Sequence, residues 1–296
     1  MELVLEIVIS NRGQRNFQKS LPIRNPKKTS VPPRARSSIL RRSVKPAPAS
    51  LRSSKASGRR LACLTSYDYP TARLLDGCGL DLLLVGDSLG MVVLGHPDTT
   101  QVTMADMIHH TRAVARGAEK TLIATDLPAG SCATPDLAVK NSRLLREAGA
   151  DIVKIEGGSE ILPMLEAIVA EQIPVIGHLG MLPQRVVEEG GYRIKGKIDA
   201  EADRLIADAK ALDEAGVQAL VLELVHAPLA AQITKTVACP TIGIGSGKDC
   251  DGNILVLHDL VGLFPWFRPK FATPHADVAR EIVRAAEEFA REVRGD

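Results

Sequence analysis

The sequence from about Arg60 onward predicts a single-domain parallel (βα)8 barrel, the TIM-barrel fold. Two observations predict it: short apolar runs alternate with amphipathic segments, and several of those segments end in glycine just before the next apolar run. Strands that alternate with single helices require right-handed crossovers, which produce a parallel sheet. Aromatic residues make up only 3% of the chain, so the core must consist of Val, Leu, Ile and Ala, which suits helices packed on such a sheet.

Seven apolar runs are predicted to be strands, because each has the length and composition of a buried parallel strand. They are residues 61–65, 80–85, 122–125, 151–155, 174–177, 219–224 and 241–244. An eighth strand is expected near residues 270–272. A doubly wound open sheet is the alternative, but it would usually carry a glycine fingerprint after its first strand, and Leu64-Thr65-Ser66-Tyr67 is not one.

Amphipathic patterns between the strands predict the helices of the barrel. They cover residues 70–76, 104–118, 135–147, 160–170, 200–214, 229–236 and 276–293. A short helix within residues 46–59 is expected to lead into the first strand. Gly149 and Gly216 each follow a helical pattern directly, and glycine at this position accepts the left-handed conformation that ends a helix.

Composition excludes several classes of protein. No run of 18 apolar residues occurs, so a transmembrane helix and a membrane partner are not expected. The five cysteines show no CxxC spacing, which argues against a zinc ribbon or a disulfide scaffold. A reducing compartment fits this cysteine usage, and we predict a cytoplasmic enzyme.

Basic charge is concentrated at the start of the chain. Residues 1–60 contain 15 Lys and Arg but two acids, whereas the remainder contains 22 basic and 33 acidic residues. We predict a disordered basic tail over residues 1–45, because a segment rich in Arg, Lys, Ser and Pro buries too little apolar surface to offset its chain entropy. The catalytic barrel would then span residues 46–296. A solvated extension is the first interpretation of the tail and an organelle transit peptide is the second. Nucleic-acid binding ranks last, since no aromatic platform or nucleic-acid motif accompanies the tail.

Ionisable side chains lie at or just past the carboxyl ends of five successive predicted strands, where a barrel carries its chemistry. They are Asp87, Asp126, Lys154 with Glu156, His178 and Glu223. Each has an ordinary explanation when taken alone: an Asp after a strand is often a helix N-cap, and Lys154 with Glu156 could be a structural ion pair. Five such placements at one rim favour a single active site.

The residue types at this rim predict chemistry on a small acid. Asp87, Asp126 and Glu156 offer only oxygen ligands, which favour Mg²⁺. The metal would act as a Lewis acid on the carbonyl of a bound 2-oxo acid, whose carboxylate Lys154 would neutralise. Glu223 lies in an apolar strand, where a carboxylate without a task is costly to bury. It is the candidate base that would remove a proton beside the carbonyl and give a Mg²⁺-stabilised enolate.

Seven groups of short motifs follow one another between residues 50 and 275. They are Leu64-Thr65-Ser66-Tyr67-Asp68, Gly86-Asp87-Ser88-Leu89-Gly90-Met91, Val153-Lys154-Ile155-Glu156-Gly157-Gly158, Gly177-His178-Leu179-Gly180 with Pro183-Gln184, Leu222-Glu223, Ile242-Gly243-Ile244-Gly245-Ser246-Gly247, and Asp251-Gly252 with His258-Asp259. In this order they resemble the ketopantoate hydroxymethyltransferase family.

The resemblance implies a reaction and a form of assembly. A one-carbon unit would pass from 5,10-methylenetetrahydrofolate to 3-methyl-2-oxobutanoate, giving 2-dehydropantoate and tetrahydrofolate in pantothenate biosynthesis. The small-molecule partners would therefore be a 2-oxo acid and a folate. The family forms large homo-oligomers, often decamers, and the resemblance implies the same here.

The resemblance also implies a role for each residue that matches a family motif. Asp87, Asp126 and Glu156 would hold Mg²⁺, Ser88 and Lys154 would hold the 2-oxo acid together with the two aspartates, Glu223 would accept the proton, and His178 would lie beside the substrate. The run from Phe264 to Arg268 is more apolar than the family leads us to expect, and it predicts a contact with a neighbouring subunit.

Two other function classes stay open at this point. An enzyme of the phosphoenolpyruvate mutase or isocitrate lyase type also uses Mg²⁺ and enolates on this barrel, but it usually carries a catalytic cysteine loop, and the sequence contains no cysteine in such a motif. A degenerate barrel that serves as a scaffold is the non-enzyme alternative. The full set of charged residues at the rim argues against the scaffold.

Overall fold

A computed structural model describes residues 45–295, so the predicted disordered tail falls, apart from Lys45, outside the described residues. Eight parallel strands form a closed barrel in chain order, which confirms the predicted fold. The strands are β1 (Leu61–Thr65), β2 (Leu82–Val85), β3 (Leu122–Asp126), β4 (Ile152–Glu156), β5 (Val175–Gly180), β6 (Ala219–Glu223), β7 (Thr241–Ile244) and β8 (Gly252–Leu255).

Ten α-helices occur in the described part of the chain. They are α1 (Ser50–Ala56), α2 (Tyr69–Leu75), α3 (Leu89–Val92), α4 (Met104–Gly117), α5 (Pro135–Ala148), α6 (Leu162–Ala170), α7 (Asp199–Glu214), α8 (Ala227–Thr236), α9 (Leu257–Val261) and α10 (Val278–Arg294). All the predicted helices are present, and the short helices α3 and α9 were not predicted. Gly149 and Gly216 have φ angles of 110° and 95°, as expected for residues that end a helix.

The barrel has two apolar layers, because alternate residues of a strand point to opposite faces. Inward-pointing side chains fill the interior, and Leu51 of α1 packs against this inner cluster. The Lys55 ammonium of α1 donates to the carbonyls of Val237 and Cys239, just before β7 begins. Helix α1 therefore closes the amino end of the barrel, and the carboxyl end stays open for a site.

The eighth strand is β8 at Gly252–Leu255, so its prediction near residues 270–272 was wrong. Lys270 and Phe271 lie in a turn that the backbone N–H of Ala272 closes by donating to Pro269 O at 3.0 Å. Gly252 lacks the apolar signature of a strand for a steric reason. A Cβ atom at this position would lie 2.6 Å from both Cβ and the carbonyl oxygen of Leu61 in β1. Glycine is therefore required at position 252 by its contact with Leu61, a residue far away in the sequence.

Helix α10 differs from the other long helices, because none of its residues is buried. Its apolar side chains Ile282, Phe289 and Val293 are 54%, 67% and 70% exposed. The outer face of the seam between β1 and β8 is also open, since Ala62 and Asn253 are exposed there. Among residues 45–295, no helix combines the length and the apolar character that crossing a membrane would require.

We expect Gly252→Ala to destabilise the barrel, because the added methyl group would clash with the Leu61 backbone across the closing seam. Overpacking of this kind costs about 1–3 kcal/mol in the free energy of unfolding. Urea denaturation would measure the loss. Gly77→Ala is the matched control, since a Cβ atom there meets no atom within 4 Å. Equal stability of the two variants would contradict the steric account of this glycine.

Candidate active site

The open carboxyl end of the barrel contains a cavity of about 630 Å³. All seven residues predicted for the site line it: Asp87, Ser88, Asp126, Lys154, Glu156, His178 and Glu223. Strand register explains part of this convergence, because Asp126 is paired with Lys154 and Glu156 is paired with His178 in adjacent strands. The seven residues therefore lie together in one cavity, and their roles in a site stay a prediction.

The Lys154 ammonium lies at the centre of the cavity floor and is only 4% exposed. Its Nζ atom is 2.8 Å from Asp126 Oδ1 and 3.5 Å from Glu156 Oε1. Burial lowers the pKa of Lys154, but the nearby carboxylates of Asp126, Glu156 and Asp87 outweigh burial and raise this pKa above its usual value. The three carboxylates therefore favour the charged form of Lys154 at the floor of the cavity.

His178 lies between two carboxylates. Its Nδ1 atom is 3.1 Å from Glu156 Oε1, and its Nε2 atom is 3.3 Å from Glu223 Oε2. Burial and the Lys154 charge lower the pKa of His178, but Glu156 and Glu223 raise it to about 9. The raised pKa favours an imidazolium that donates to Glu156. Nδ1 then cannot accept from Lys154 Nζ, although the two nitrogens are 3.2 Å apart.

Glu156 faces this imidazolium in its ionised, carboxylate form. Burial alone raises the pKa of Glu156, yet the charges of His178 and Lys154 lower it to about 2. Its second oxygen, Oε2, accepts the backbone N–H of Gln184 at 3.2 Å. Both oxygens of Glu156 are therefore engaged by groups of the protein.

Asp87 and Asp126 form a pair of neighbouring buried carboxylates. The backbone N–H of Asp87 donates to Asp126 Oδ2 at 3.0 Å. Burial raises the pKa of Asp87, and the Asp126 charge raises it further; burial also raises the pKa of Asp126. Within the described chain, Asp126 Oδ1 accepts no hydrogen bond, despite its proximity to Lys154. A further cation beside this pair would relieve the repulsion between the two carboxylates.

The donor set at this pair fits Mg²⁺. Over residues 45–295, no three or more His, Cys, Asp or Glu side chains are grouped to hold a metal ion. Mg²⁺, however, is usually bound through one or two carboxylates and keeps several waters. Asp87 and Asp126 meet that requirement, whereas the oxygens of Glu156 contact His178, Lys154 and the Gln184 backbone. The participation of Glu156 in the ligand set stays a prediction.

Two residues of the site were not singled out as site residues by the sequence. The Gln184 amide donates to Asp87 Oδ2 at 2.8 Å and to Leu127 O at 3.0 Å, so it fixes the orientation of Asp87. The buried Tyr67 hydroxyl shares a hydrogen bond of 2.8 Å with Ser88 Oγ. Both residues occur in the family motifs, which were the only available signal, because neither side chain is charged.

The backbone is strained directly after Glu223. Leu224 has a φ of 48°, a left-handed conformation that is costly for a residue other than glycine. Its N–H donates to Ile244 O at 2.9 Å, and its carbonyl accepts the Lys195 N–H at 2.8 Å. These two bonds hold the turn that ends β6 at Glu223, one residue earlier than predicted. The Glu223 side chain remains 15% exposed, toward the cavity that it lines.

The chain resembles proteins of one named family over nearly all its described length. Residues 46–296 match the family profile described as Ketopantoate hydroxymethyltransferase. A relative from Moorella thermoacetica, named 3-methyl-2-oxobutanoate hydroxymethyltransferase, is 52% identical over 246 residues, which cover 82% of this chain and 91% of the relative. A relative of the same name from Ignicoccus hospitalis is also 52% identical, over 80% of this chain and 90% of its own length.

Solved structures with the same fold are much more distant in sequence. Phosphoenolpyruvate phosphomutase from Streptomyces platensis subsp. rosaceus aligns with a TM-score of 0.60 at 13% identity, over 83% of this chain and 88% of its own. A complex of phosphonopyruvate hydrolase with oxalate and Mg²⁺ aligns with a TM-score of 0.56 at 15% identity, over 84% and 88%. At such low identity, these likenesses demonstrate the fold alone.

We expect Asp259→Asn to stabilise the protein at pH 8 and to have little effect at pH 4. Asp259 lines the same cavity, and burial raises its pKa from 3.8 to about 6, while Arg268 lowers it less. A raised carboxyl pKa penalises the folded state above pH 6, and the penalty disappears below pH 4. After a discount for solvent screening, the gain at pH 8 is about 1–2 kcal/mol.

Urea unfolding at the two pH values would test this expectation. Exposed Asp249 gives the control, Asp249→Asn, which should shift the free energy of unfolding equally at both pH values. A stabilisation by Asp259→Asn that does not change with pH would contradict the assigned cause.

Proposed function

The chain belongs to the ketopantoate hydroxymethyltransferase family, and on this premise we propose that it transfers a hydroxymethyl group to 3-methyl-2-oxobutanoate. The donor that we propose is 5,10-methylenetetrahydrofolate, and the products are 2-dehydropantoate and tetrahydrofolate. One water is consumed, because the transferred group arrives as a methylene bridge and leaves as CH₂OH. The observation that carries the proposal is the buried Lys154 ammonium beside the Asp87–Asp126 pair in one cavity.

The floor of the cavity holds the 2-oxo acid by its charges. Lys154 neutralises the substrate carboxylate, and the Ser88 hydroxyl, which Tyr67 orients, donates a second hydrogen bond. When it is bound by Asp87 and Asp126, with Glu156 as the third predicted ligand, Mg²⁺ supplies Lewis-acid polarisation of the ketone carbonyl. Gln184 holds the Asp87 carboxylate in place for this role.

Glu223 removes the proton from C3, the carbon beside the ketone. Its carboxylate lines the cavity, and its Oε2 atom lies at an ion-pair distance of 3.3 Å from His178 Nε2. Loss of the C3 proton leaves an enolate whose carbon forms the new C–C bond to the methylene carbon of the donor. Both C–N bonds of the methylene bridge break, the consumed water supplies the hydroxyl group, and tetrahydrofolate leaves with one proton from that water and the one taken from C3. The charges of Lys154 and His178 offset the negative charge that accumulates on the floor during this step.

A mutase or lyase reaction of the related barrels is supported less well. Those enzymes usually rely on a cysteine loop, and no cysteine is among the described residues that line this cavity. The arrangement therefore favours proton removal and addition to a one-carbon unit.

We also propose that the chain assembles as a homo-oligomer in the cytoplasm. The exposed apolar side chains of α10 support assembly, because apolar stripes of this kind usually mark protein contacts. The decamer that the family resemblance implies stays a prediction.

Glu223→Gln should abolish Mg²⁺-dependent deuterium exchange at C3 of 3-methyl-2-oxobutanoate, while binding of this acid is largely retained. Removal of a general base slows proton transfer by about 10²–10⁴-fold. NMR of the substrate methine in D₂O measures the exchange without any folate. Glu287→Gln on the exposed face of α10 is the control and should exchange at the normal rate. Near-normal exchange by Glu223→Gln would refute the assignment of the base.

Binding of Mg²⁺ should release protons and weaken as the pH is lowered. The pKa values of Asp87 and Asp126 are raised, so protons compete with the metal for these oxygens. Calorimetry in buffers of different ionisation enthalpy counts the protons released. Asp126→Asn should lower both this count and the affinity, the latter at least about tenfold. The control Asp249→Asn should leave binding unchanged. Mg²⁺ binding that does not depend on pH, or an affinity that Asp126→Asn alters no more than the control does, would contradict the assigned ligands.

A further inference from the structure

The cavity is larger than its charged floor requires. A volume of about 630 Å³ lies within the range of roughly 300–1,000 Å³ that holds ligands of drug size, whereas the proposed 2-oxo acid has only five carbons. One part of the remaining wall is formed by Phe264, Phe267, Arg268, Lys270 and Phe271, which we call the aromatic–basic mouth. Its composition differs from that of the floor, so it suits a different ligand.

The aromatic–basic mouth is joined to the catalytic floor through Gly245, at the end of β7. A Cβ atom on Gly245 would lie 2.8 Å from a ring carbon of Phe271 and 2.8 Å from a methyl carbon of Leu224. Phe271 therefore packs beside the strained residue that follows Glu223. A ligand seated in the mouth would extend directly to the proposed base.

The two cations of the mouth form no close ion pair within the described chain, although the Arg268 charge acts on Asp259 at longer range. Arg268 and Lys270 are exposed, and no ion pair or side-chain hydrogen bond joins either to another residue of the described chain. By contrast, Arg193, which also lines the cavity, is paired with Glu201 at 2.7 Å. Two unpaired cations at the opening of an acidic cavity indicate an anionic portion of a ligand that reaches outward.

The aromatic side chains of the mouth indicate a flat portion of the same ligand. Phe267 is 54% exposed and Phe271 is 37% exposed, and both line the same part of the cavity. Apolar side chains exposed together in this way often mark a ligand-binding groove. Aromatic rings stack on flat rings in offset or edge-to-face arrangements. A ligand with an aromatic ring followed by carboxylates would match both the rings and the cations.

We propose that the aromatic–basic mouth binds the p-aminobenzoylglutamate portion of the folate donor. Phe267 and Phe271 contact the aminobenzoyl ring, and Arg268 and Lys270 pair with the glutamate carboxylates. The orientation follows from the chemistry: the methylene bridge must reach C3 on the floor, so the tail attached beyond it points to the opening. This assignment rests on the proposed function, which supplies the identity of the donor.

The test compares the double variant Arg268→Gln/Lys270→Gln with the wild-type protein. We expect the KM for 5,10-methylenetetrahydrofolate to rise about tenfold or more, since charge-assisted hydrogen bonds are lost. The KM for 3-methyl-2-oxobutanoate and the rate of C3 exchange without folate should stay unchanged. Arg112→Gln/Lys120→Gln removes two exposed cations that do not line the cavity and should change none of these values.

A donor that lacks the glutamate identifies the contact. With 5,10-methylenetetrahydropteroate, the wild type and the Arg268→Gln/Lys270→Gln variant should have the same KM, because the paired carboxylates are absent. Phe267→Ala should raise the KM for both donors. An equal rise for both donors in the double variant, or no rise for either, would overturn the assignment.

The remaining outcomes separate this proposal from the function on which it rests. Normal C3 exchange without turnover of either folate donor would refute the donor, and this site with it. Absence of C3 exchange in the folded wild type would refute the proposed function itself. A double variant whose KM for the folate is normal but whose molecular mass in solution falls would show that the mouth contacts a second copy of the chain instead.

Discussion

The buried Lys154 ammonium is the interaction on which the site depends. Several carboxylates share the cavity floor with it, and burial alone would push protons onto them or unfold the barrel, because an unpaired buried charge is very costly. Lys154, with the imidazolium of His178, keeps Glu156 ionised, with a pKa of about 2. One ammonium cannot do the same for Asp87 and Asp126, whose pKa values remain raised. The Asp87–Asp126 pair therefore retains an attraction for a further cation.

The closed barrel fixes the positions of these charged side chains relative to one another. Each charged residue is at or near the end of a strand whose register its neighbours determine, so the pairs Asp126–Lys154 and Glu156–His178 follow from backbone hydrogen bonds. Groups on rigid strands hold their positions better than groups on loops, and pre-positioned charges are the main source of electrostatic catalysis. Closure itself depends on Gly252, where β8 meets β1 without room for a side chain. A steric constraint at the seam thus supports the chemistry at the rim.

Most of the fold and the charged floor could be predicted, because their signals are local. An apolar run indicates a strand, and an acid directly after it indicates the rim, as for Asp87 and Asp126. Strand β8 was misplaced because its glycine is selected by contact with Leu61, about 190 residues away in the chain. Gln184 was missed for a similar reason, since its importance arises only when its amide reaches Asp87. When a residue type is required by a contact with a residue far away in the chain, the sequence around it shows no pattern that would predict it.

The cations of the cavity occupy two environments with different physical consequences. Lys154 is buried, so its attraction for a carboxylate is little screened by salt and, in the proposed function, would fix one orientation of a small acid. Arg268 and Lys270 are exposed, so each contributes a weaker and salt-screened attraction that tolerates a flexible tail. The proposed reaction between a small acid and a long anionic donor would use both kinds of contact. The acid must be held to within a fraction of an ångström of the base, whereas the tail of the donor must only be prevented from leaving. The buried cation and the exposed cations lie in different parts of one cavity. Positive charge can therefore hold both the small acid and the tail of the donor, and neither anion displaces the other.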